Sequence, residues 1–264
     1  MRPVWAAPAL FAASVAAAGG AAAQPVDPAV LRALAPTGTL RAAINFGNPV
    51  LAQRGPDGAP GGVSVALAAA LARRLGVPLT VVPYAQAGLV TDALGSGAWD
   101  ICFLAHDPVR GRGIAFTAPY VLIEGGYAVA AASPVVDMDS VDRPGTGVAV
   151  VRGSAYDLFL SRALKQAELV RYGGNDAAAA ALLSGAQPVL AGVKQPLAAL
   201  VQAHPGLRLL PGRFMVIEQA IGTPLARGEA GSAFLQAFAA DAKASGLVAQ
   251  ALKASGQEDA QVAP

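Results

Sequence analysis

The sequence contains few of the residues that build metal and redox sites. Cys102 is its single cysteine, so no disulfide can form within the chain. Because Cys102 lies inside an apolar run, we expect a small buried hydrophobe rather than a reactive thiol. The two histidines, His106 and His204, lie in different segments, without cysteines or clustered carboxylates beside them. The composition therefore predicts no metal site and no cofactor.

Charge of one sign is also missing from the sequence. The chain has 19 Lys and Arg against 17 Asp and Glu, with no long run of either sign. This balance argues against nucleic acid or an anionic membrane surface as the main partner. Catalytic groups are scarce as well, since neither a nucleophile with its base nor a pair of carboxylates accompanies the candidate site described below.

Long apolar runs are limited to the N-terminal segment, which has the pattern of a secretory signal peptide. Arg2 provides a small positive region, residues 4–18 form an apolar run, and residues 21–23 form a small-residue cleavage site. We therefore expect residues 1–23 to be removed after Ala23, and the remaining chain to be exported and soluble. An uncleaved membrane anchor is the alternative, although the run is short and rich in alanine.

The rest of the chain alternates strand and helix in two blocks. Each block is typical of a parallel sheet with helices on its faces. The second block repeats the order of elements without repeating the sequence. The predicted strands are residues 39–46, 78–84, 101–105, 148–151, 168–172, 188–191, 207–210 and 214–222. The predicted helices are residues 63–75, 86–94, 154–164, 176–183, 196–203, 231–245 and 247–255.

Two segments are predicted to connect the blocks, namely residues 120–134, which contain Gly125 and Gly126, and residues 214–222. Two lobes joined by adjacent extended segments can close on a ligand by bending at a hinge. A single large sheet is the alternative, because periodicity does not distinguish the two arrangements. The predicted boundaries are 38–124 and 219–256 for lobe 1, 125–218 for lobe 2, and 257–264 for a flexible tail.

Arg110 is the strongest candidate for a ligand-binding residue. The apolar run at 101–105 predicts a buried strand, Asp107 can cap a following helix, and Pro108 suits its first position. Arg110 would then lie at the helix start, at the carboxyl edge of a parallel sheet. A guanidinium beside free backbone N–H groups is suited to binding a carboxylate or another anion. The alternatives are a local pair with Asp107 or a solvated side chain.

Several segments, in their order and spacing, resemble the family 3 extracellular solute-binding proteins of ABC importers, best known for polar amino acids. The resemblance implies an α/β, two-lobed periplasmic-binding-protein-like fold of type II, with parallel-rich sheets flanked by helices and an interlobe hinge. The segments are GTLRAAI, ALAAALARRLGVPL, LVTDALGSGAWDI and DPVRGRGIAFTAPY in the first lobe, VAVVRGSAYDLFL in the second, and AFAADAKASGLVAQAL at the C-terminal end.

The resemblance implies a periplasmic protein that captures a small anionic or zwitterionic solute and delivers it to the membrane permease of an ABC transporter. A monomer is expected. By position in the family's motifs, Arg110 holds the ligand carboxylate, and a second-lobe helix start gives N–H groups to it. Two first-lobe segments contact the rest of the ligand. The other residues implied are Asn45, Phe46, Asn48, Phe103, Ala105, Ser154, Ala155 and Tyr156.

The sequence departs from the family where amino-acid binders carry a second-lobe acidic residue for the ligand ammonium. The corresponding positions are Gly192, Val193 and Lys194. An unpaired buried cation costs on the order of several kcal/mol, so we expect a less polar carboxylate or organic anion. Lys194 would be a second positive contact, and the alternative is a solvated lysine at a helix start.

Two further interpretations stay open at this stage. An exported dehydratase-like enzyme on the same fold is the first, because a fold does not settle function. Glu124 and Glu218 are the acids that we would nominate for it, although local pairing or solvation is the simpler interpretation of both. A ligand-sensing subunit of a membrane receptor is the second.

Overall fold

The computed structural model describes residues 25–264, so the predicted signal peptide lies outside the described residues. Short 3-10 turns occur at Arg110–Arg112 and Leu225–Arg227. The strands are β1 (Leu40–Asn45), β2 (Gln53–Arg54), β3 (Pro60–Gly61), β4 (Leu79–Tyr84), β5 (Ile101–Ala105), β6 (Ile114–Phe116), β7 (Val121–Ala130), β8 (Gly147–Val151), β9 (Glu168–Tyr172), β10 (Val189–Val193), β11 (Leu207–Leu209), β12 (Met215–Pro224) and β13 (Gln261–Val262). The helices are α1 (Pro28–Leu34), α2 (Val63–Leu75), α3 (Ala87–Asp92), α4 (Ala155–Ala163), α5 (Asn175–Leu183), α6 (Lys194–Ala203), α7 (Glu229–Ala244) and α8 (Leu247–Ala254). Within residues 25–264, none of the helices has the length and apolar character needed to cross a membrane.

One hydrogen-bonded sheet runs through the described chain, with the strand order β4-β1-β5-β12-β7-β10-β8-β9. At one end β1 pairs in parallel with β4 and β5, and at the other end β8 pairs in parallel with β9 and β10, as the alternation of elements predicts. The middle is antiparallel, because β12 pairs with β5 and β7, and β7 pairs with β10. The sheet is therefore continuous, with parallel ends and an antiparallel centre.

Separate hydrophobic cores divide the protein into lobes although the sheet is continuous. In the first core, Leu67 and Leu71 of α2 are fully buried against the sheet, as their four-residue spacing predicts. The second core forms around β8, α4 and α5, with Leu160 almost completely buried. Strand β7 contributes Ile123 to the first core and Tyr127 to the second. The chain therefore crosses between the lobes along β7, and it returns along β12. The lobe boundaries given above stay predictions.

The segment after β5 differs from the prediction of a capped helix. It contains only the 3-10 turn at Arg110–Arg112. Asp107 still acts locally, because its Oδ1 accepts a hydrogen bond from the Val109 N–H at 2.8 Å. The helix cannot extend, because Ile114 already begins β6 and pairs with β12. Arg110 is thus positioned by a short turn at the end of β5 and not by a helix start.

The C-terminal residues differ from the predicted flexible tail at 257–264. Strand β13 pairs antiparallel with the first residues of β7. Ala260 and Ala263 are buried on either side of it, and the Ala263 N–H donates to the Tyr120 carbonyl at 3.1 Å. The tail is ordered because it completes the edge of a distant strand, which the local composition does not indicate.

Candidate ligand-binding cleft

A cleft lies between the two lobes, where the carboxyl ends of β1 and β5 face the start of α4. It contains a cavity of about 50 Å³. The structure brings seven of the ten sequence-predicted residues to this cavity, four from the first lobe and three from the second. These residues are Asn45, Asn48, Ala105, Arg110, Ser154, Ala155 and Tyr156.

Arg110 is the charged residue of the cleft, and only 4 % of it is exposed. Its Nη1 donates to the Ala105 carbonyl at 3.1 Å and its Nη2 to the Gly153 carbonyl at 2.8 Å, so the guanidinium contacts both lobes. Its Nε has no hydrogen-bond partner among the described residues. Burial lowers the pKa of Arg110 to about 10, which leaves the side chain positively charged at neutral pH. The cleft therefore contains a buried cation with an unused donor.

The start of α4 adds backbone donors from the second lobe. Ser154 caps the helix, because its hydroxyl accepts from the Asp157 N–H at 3.0 Å. The first intrahelical bond runs from the Leu158 N–H to the Ser154 carbonyl at 3.1 Å. The N–H groups of Ala155 and Tyr156 precede that bond and have no intrahelical acceptor. Since both residues line the cavity, these donors and the positive end of the helix suit an anion.

Side-chain contacts also bridge the lobes at the edge of the cleft. Asn175 Nδ2 donates to the Gly47 carbonyl at 2.9 Å. Asn175 is the first residue of α5, one residue before the predicted start, and its side chain contacts the opposite lobe and not its own helix. Arg162 of α4 forms an ion pair with Asp107 at 2.7 Å. The two lobes are therefore in contact, and the cleft is closed.

Two glycines allow this close approach. Gly153 has a φ of +68°, a left-handed conformation that glycine adopts without steric cost. A Cβ on Gly153 would lie 2.7 Å from the Cα of Gly88, at the start of α3 in the other lobe. A Cβ on Gly88 would lie 3.1 Å from the Arg152 carbonyl oxygen. The backbones of the two lobes thus meet here without a side chain between them.

Two of the predicted aromatic residues lie outside the cavity lining. Phe103 is 3 % exposed and packs in the first-lobe core, with its ring centroid 6.2 Å from that of Tyr120. Side-chain alternation along β5 would place Phe103 at the cleft. Because β5 is buried on both faces, however, alternation does not show which face lines the cleft. Phe46 is partly buried, and the Arg54 guanidinium lies 4.4 Å from its ring.

Lys194, the third predicted residue outside the lining, belongs to a separate ion cluster beside the crossing strands. Its Nζ donates to Glu124 at 2.8 Å, and Arg213 pairs with the other carboxylate oxygen. These contacts lower the pKa of Glu124, with the Lys194 hydrogen bond as the largest cause. We call these three residues the hinge cluster. It borders another cavity, of about 400 Å³.

The cleft also contains residues that the sequence does not indicate as ligand contacts. Gln219 of β12 is 5 % exposed, and Gln86 precedes α3. A glutamine inside an apolar strand is uncommon, and this is the feature of the sequence that could have identified Gln219 as a ligand contact. Within residues 25–264, no carboxylate lines this cavity. Glu218, nominated above as an acid, is half-exposed and lies 3.8 Å from His106.

The sequence profile described as bacterial extracellular solute-binding proteins, family 3, matches residues 40–255. The chain belongs to this family. Its members are extracellular by that description, and the family resemblance seen in the sequence is confirmed. No curated protein sequence matches this solute-binding protein.

Solved structures similar to this solute-binding protein share its fold. The P235GK mutant of ArgBP from T. maritima has a TM-score of 0.74 at 21 % identity, covering 87 % of this chain and all of its own. A solute receptor for L-cysteine of Neisseria gonorrhoeae also has a TM-score of 0.74 at 21 % identity, covering 86 % and 93 %. The ancestral amino acid-binding protein AncCDT-1, a precursor of cyclohexadienyl dehydratase, has a TM-score of 0.70 at 21 % identity, covering 85 % and 98 %. The predicted two-lobed fold of type II is thereby confirmed.

Proposed function

We propose that this solute-binding protein captures a small carboxylate-bearing solute in its interlobe cleft and delivers it to the permease of an ABC transporter. Arg110 carries the proposal, because it is a buried cation whose Nε is unused and which bonds only to backbone carbonyls. Burial lowers the pKa of Arg110 and the nearby Asp107 raises it through space, but the Asp107 carboxylate bonds to Arg162. The Arg110 guanidinium has no carboxylate hydrogen-bond partner among the described residues, and burying a charge in this way is costly. A ligand carboxylate would be that partner and accept charge-assisted hydrogen bonds.

The cleft geometry couples binding to closure. Arg110 belongs to the first lobe, and the free N–H groups of Ala155 and Tyr156 belong to the second. A carboxylate that accepts from both groups would bind the closed protein more tightly than an open one. Such a ligand would shift the population toward closure by its difference in affinity. In this proposal the periplasmic monomer presents its closed form to the permease.

The solved structures with the same fold support a carboxylate as the recognised group. They include an arginine-bound ArgBP, a solute receptor for L-cysteine and a binding component complexed with lysine. Amino acids differ in their side chains, but all carry a carboxylate. We extend only this shared group to the present cleft.

Binding is favoured over catalysis by the position of the nominated acids. Glu124 is held by Lys194 and Arg213 with its pKa lowered, so it remains ionised and is unsuited to donate a proton at neutral pH. Glu218 is half-exposed. Neither lines the cavity beside Arg110. Formation of product from a cyclic carboxylate by the purified protein would instead support the dehydratase alternative.

Calorimetry with amino acids and organic acids tests the proposal in the Arg110→Met variant. Two charge-assisted hydrogen bonds contribute about 3 kcal/mol, so we expect at least about 100-fold weaker binding. Arg112→Met is the matched control, because Arg112 is an exposed arginine of the same turn. The ligand affinity of this variant should match that of the wild type. Failure of every carboxylate to bind the wild type, or undiminished binding by Arg110→Met, would contradict the proposal.

A further inference from the structure

The cavity beside Arg110 adjoins a second chamber, of about 280 Å³, in the second lobe. The same residues line both spaces along their common border, so the second chamber is the space next to a ligand held at Arg110. The two spaces together reach the lower end of the usual range for small-molecule pockets, about 300 Å³. The shared residues are Gly47, Val151, Tyr156, Asn175 and Val193.

The second chamber is lined mainly by aliphatic side chains of β10, α5 and α6. Leu190, Leu197 and Leu200 form part of its wall, together with Pro196. Its acidic lining residue is Asp176, which is exposed in the first turn of α5. A carboxylate at that position is stabilised by its own helix. The chamber therefore offers apolar contact area to whatever extends into it.

Val193 lies at the border of the two spaces, at the end of β10. In an amino-acid ligand, the α-ammonium is bonded to the same carbon as the carboxylate. It would therefore have to lie near Arg110. Within the described chain, no carboxylate lines the cavity beside Arg110, and the nearby Asp107 is already paired with Arg162. The carbonyls of Ala105 and Gly153 already accept from Arg110 itself. An ammonium would therefore be buried beside one cation without a counter-charge.

We infer, on the basis of the proposed function, that the ligand is an apolar monocarboxylate without an ammonium group, an aliphatic or arylalkyl acid. Its carboxylate is held by Arg110 and the start of α4, and its hydrocarbon part lies in the second chamber. The charge of the ligand then balances that of Arg110, and no polar group is left unpaired in the aliphatic part.

Matched ligand pairs test the inference by calorimetry on the wild-type chain. We expect 4-methylpentanoate and 4-methyl-2-oxopentanoate to bind at least about 30-fold more tightly than leucine, and 3-phenylpropanoate more tightly than phenylalanine. Tighter binding of the amino acids, or of a polar dicarboxylate such as succinate, would overturn the inference but leave the proposed function intact. If no carboxylate binds at all, the proposed function itself fails.

A homologous series of carboxylate ligands tests the contribution of the apolar chamber to affinity with the wild-type protein alone. From butanoate to hexanoate, each buried methylene should tighten binding about threefold. A flat series would contradict the placement of the hydrocarbon part.

Val193→Asp tests the missing counter-charge directly, with Val193→Asn as its matched control. Both substitutions place a capping residue before α6, so their effects on the helix are comparable. The aspartate should improve leucine binding at least about tenfold over the wild type and weaken 4-methylpentanoate, whereas the asparagine should not improve leucine binding. Equal leucine affinities in the two variants would overturn the inference.

Discussion

Charged side chains lie between the lobes in two places, and their charges are balanced differently. At the cleft, Arg110 is buried and donates only to backbone carbonyls. In the hinge cluster, Lys194 and Arg213 share Glu124, and all three side chains are at least one-third exposed. The first site is a cation that a ligand anion can complete, whereas the second is already paired. The proposed ligand-binding charge thus differs from the hinge cluster because it is buried without a carboxylate hydrogen-bond partner among the described residues.

The two places also differ in what their contacts join. The cleft contacts connect elements of opposite lobes, as Asn175 does with Gly47. The hinge cluster connects neighbours within one ladder, because Val193 pairs with Gly125 directly beside Lys194 and Glu124. Closure can therefore make and break the cleft contacts while the hinge cluster persists. The following predictions test this difference.

Among the changes that test this difference, Gly88→Leu should have the largest effect, because it inserts a side chain where the two backbones meet. We expect at least about tenfold weaker ligand binding, corresponding to about 1.4 kcal/mol, with little change in the melting temperature of the ligand-free protein. Calorimetry measures the affinity, and small-angle scattering measures the expected loss of ligand-induced compaction. Gly206→Leu is the control, since a Cβ there meets nothing within 4 Å. Equal affinities in both variants would show that closure does not need this contact.

Arg162→Gln should have an intermediate effect, because it removes the interlobe ion pair with Asp107. Partly exposed pairs contribute up to about 1 kcal/mol, so affinity should fall up to about fivefold. Arg74→Gln is the matched control, because its pair with Asp241 joins α2 and α7 within the first lobe. If the control weakened binding as much, the distinction between interlobe and intralobe pairs would fail.

Lys194→Ala should have a small effect on binding, within about twofold of the wild type. Its partner Glu124 keeps Arg213, and neither lines the cavity beside Arg110. Titration of the same ligand into both proteins measures the difference. A loss of about tenfold or more would instead make Lys194 a ligand contact, as the family resemblance suggests.

The smallest expected effect is the contribution of the hinge cluster to the pH dependence of stability. The pKa of Glu124 is lowered in the folded protein, so its ion pairs stabilise the fold above its ordinary pKa of 4.5, and that stability is lost as the pH falls through the lowered value. Glu124→Gln should therefore destabilise the protein more at pH 7 than at pH 3, as measured by urea unfolding. Glu258→Gln, at an exposed tail position, is the control. A deficit that does not depend on pH would contradict the role of the ion pairs.

Local patterns predict much of the fold, because they record short-range physics. Helix α2 begins and ends where predicted, since its leucines share one face and Gly76 terminates it in a left-handed conformation. Strand β5 also has the predicted bounds, because a short apolar run favours a buried strand. Arg110 could be selected as a candidate because it follows this strand at the edge of a parallel sheet.

What the sequence could not predict depends on contacts between distant segments. Asparagine is a residue type that often caps helices, but the acceptor of the Asn175 side-chain amide is the Gly47 carbonyl of the opposite lobe. Phe103 and Leu104 are both buried in β5, yet only Leu104 lines the cavity. Helix α1 was not predicted, although Asp27 caps it and Pro28 begins it. The first two outcomes were set by packing, whereas α1 carries a local helix-start signal in Asp27 and Pro28 that the sequence-based prediction missed.

Strand β13 has a practical consequence for anyone labelling this protein. Strand β13 pairs with Val121 and Leu122, at the first-lobe end of β7. A fluorophore attached beside β13 would therefore stay with the first lobe during any lobe movement, because Ala260 is buried in its core. A flexible spacer would protect the pairing during immobilisation, and a reporter of opening is better placed at the exposed end of α5.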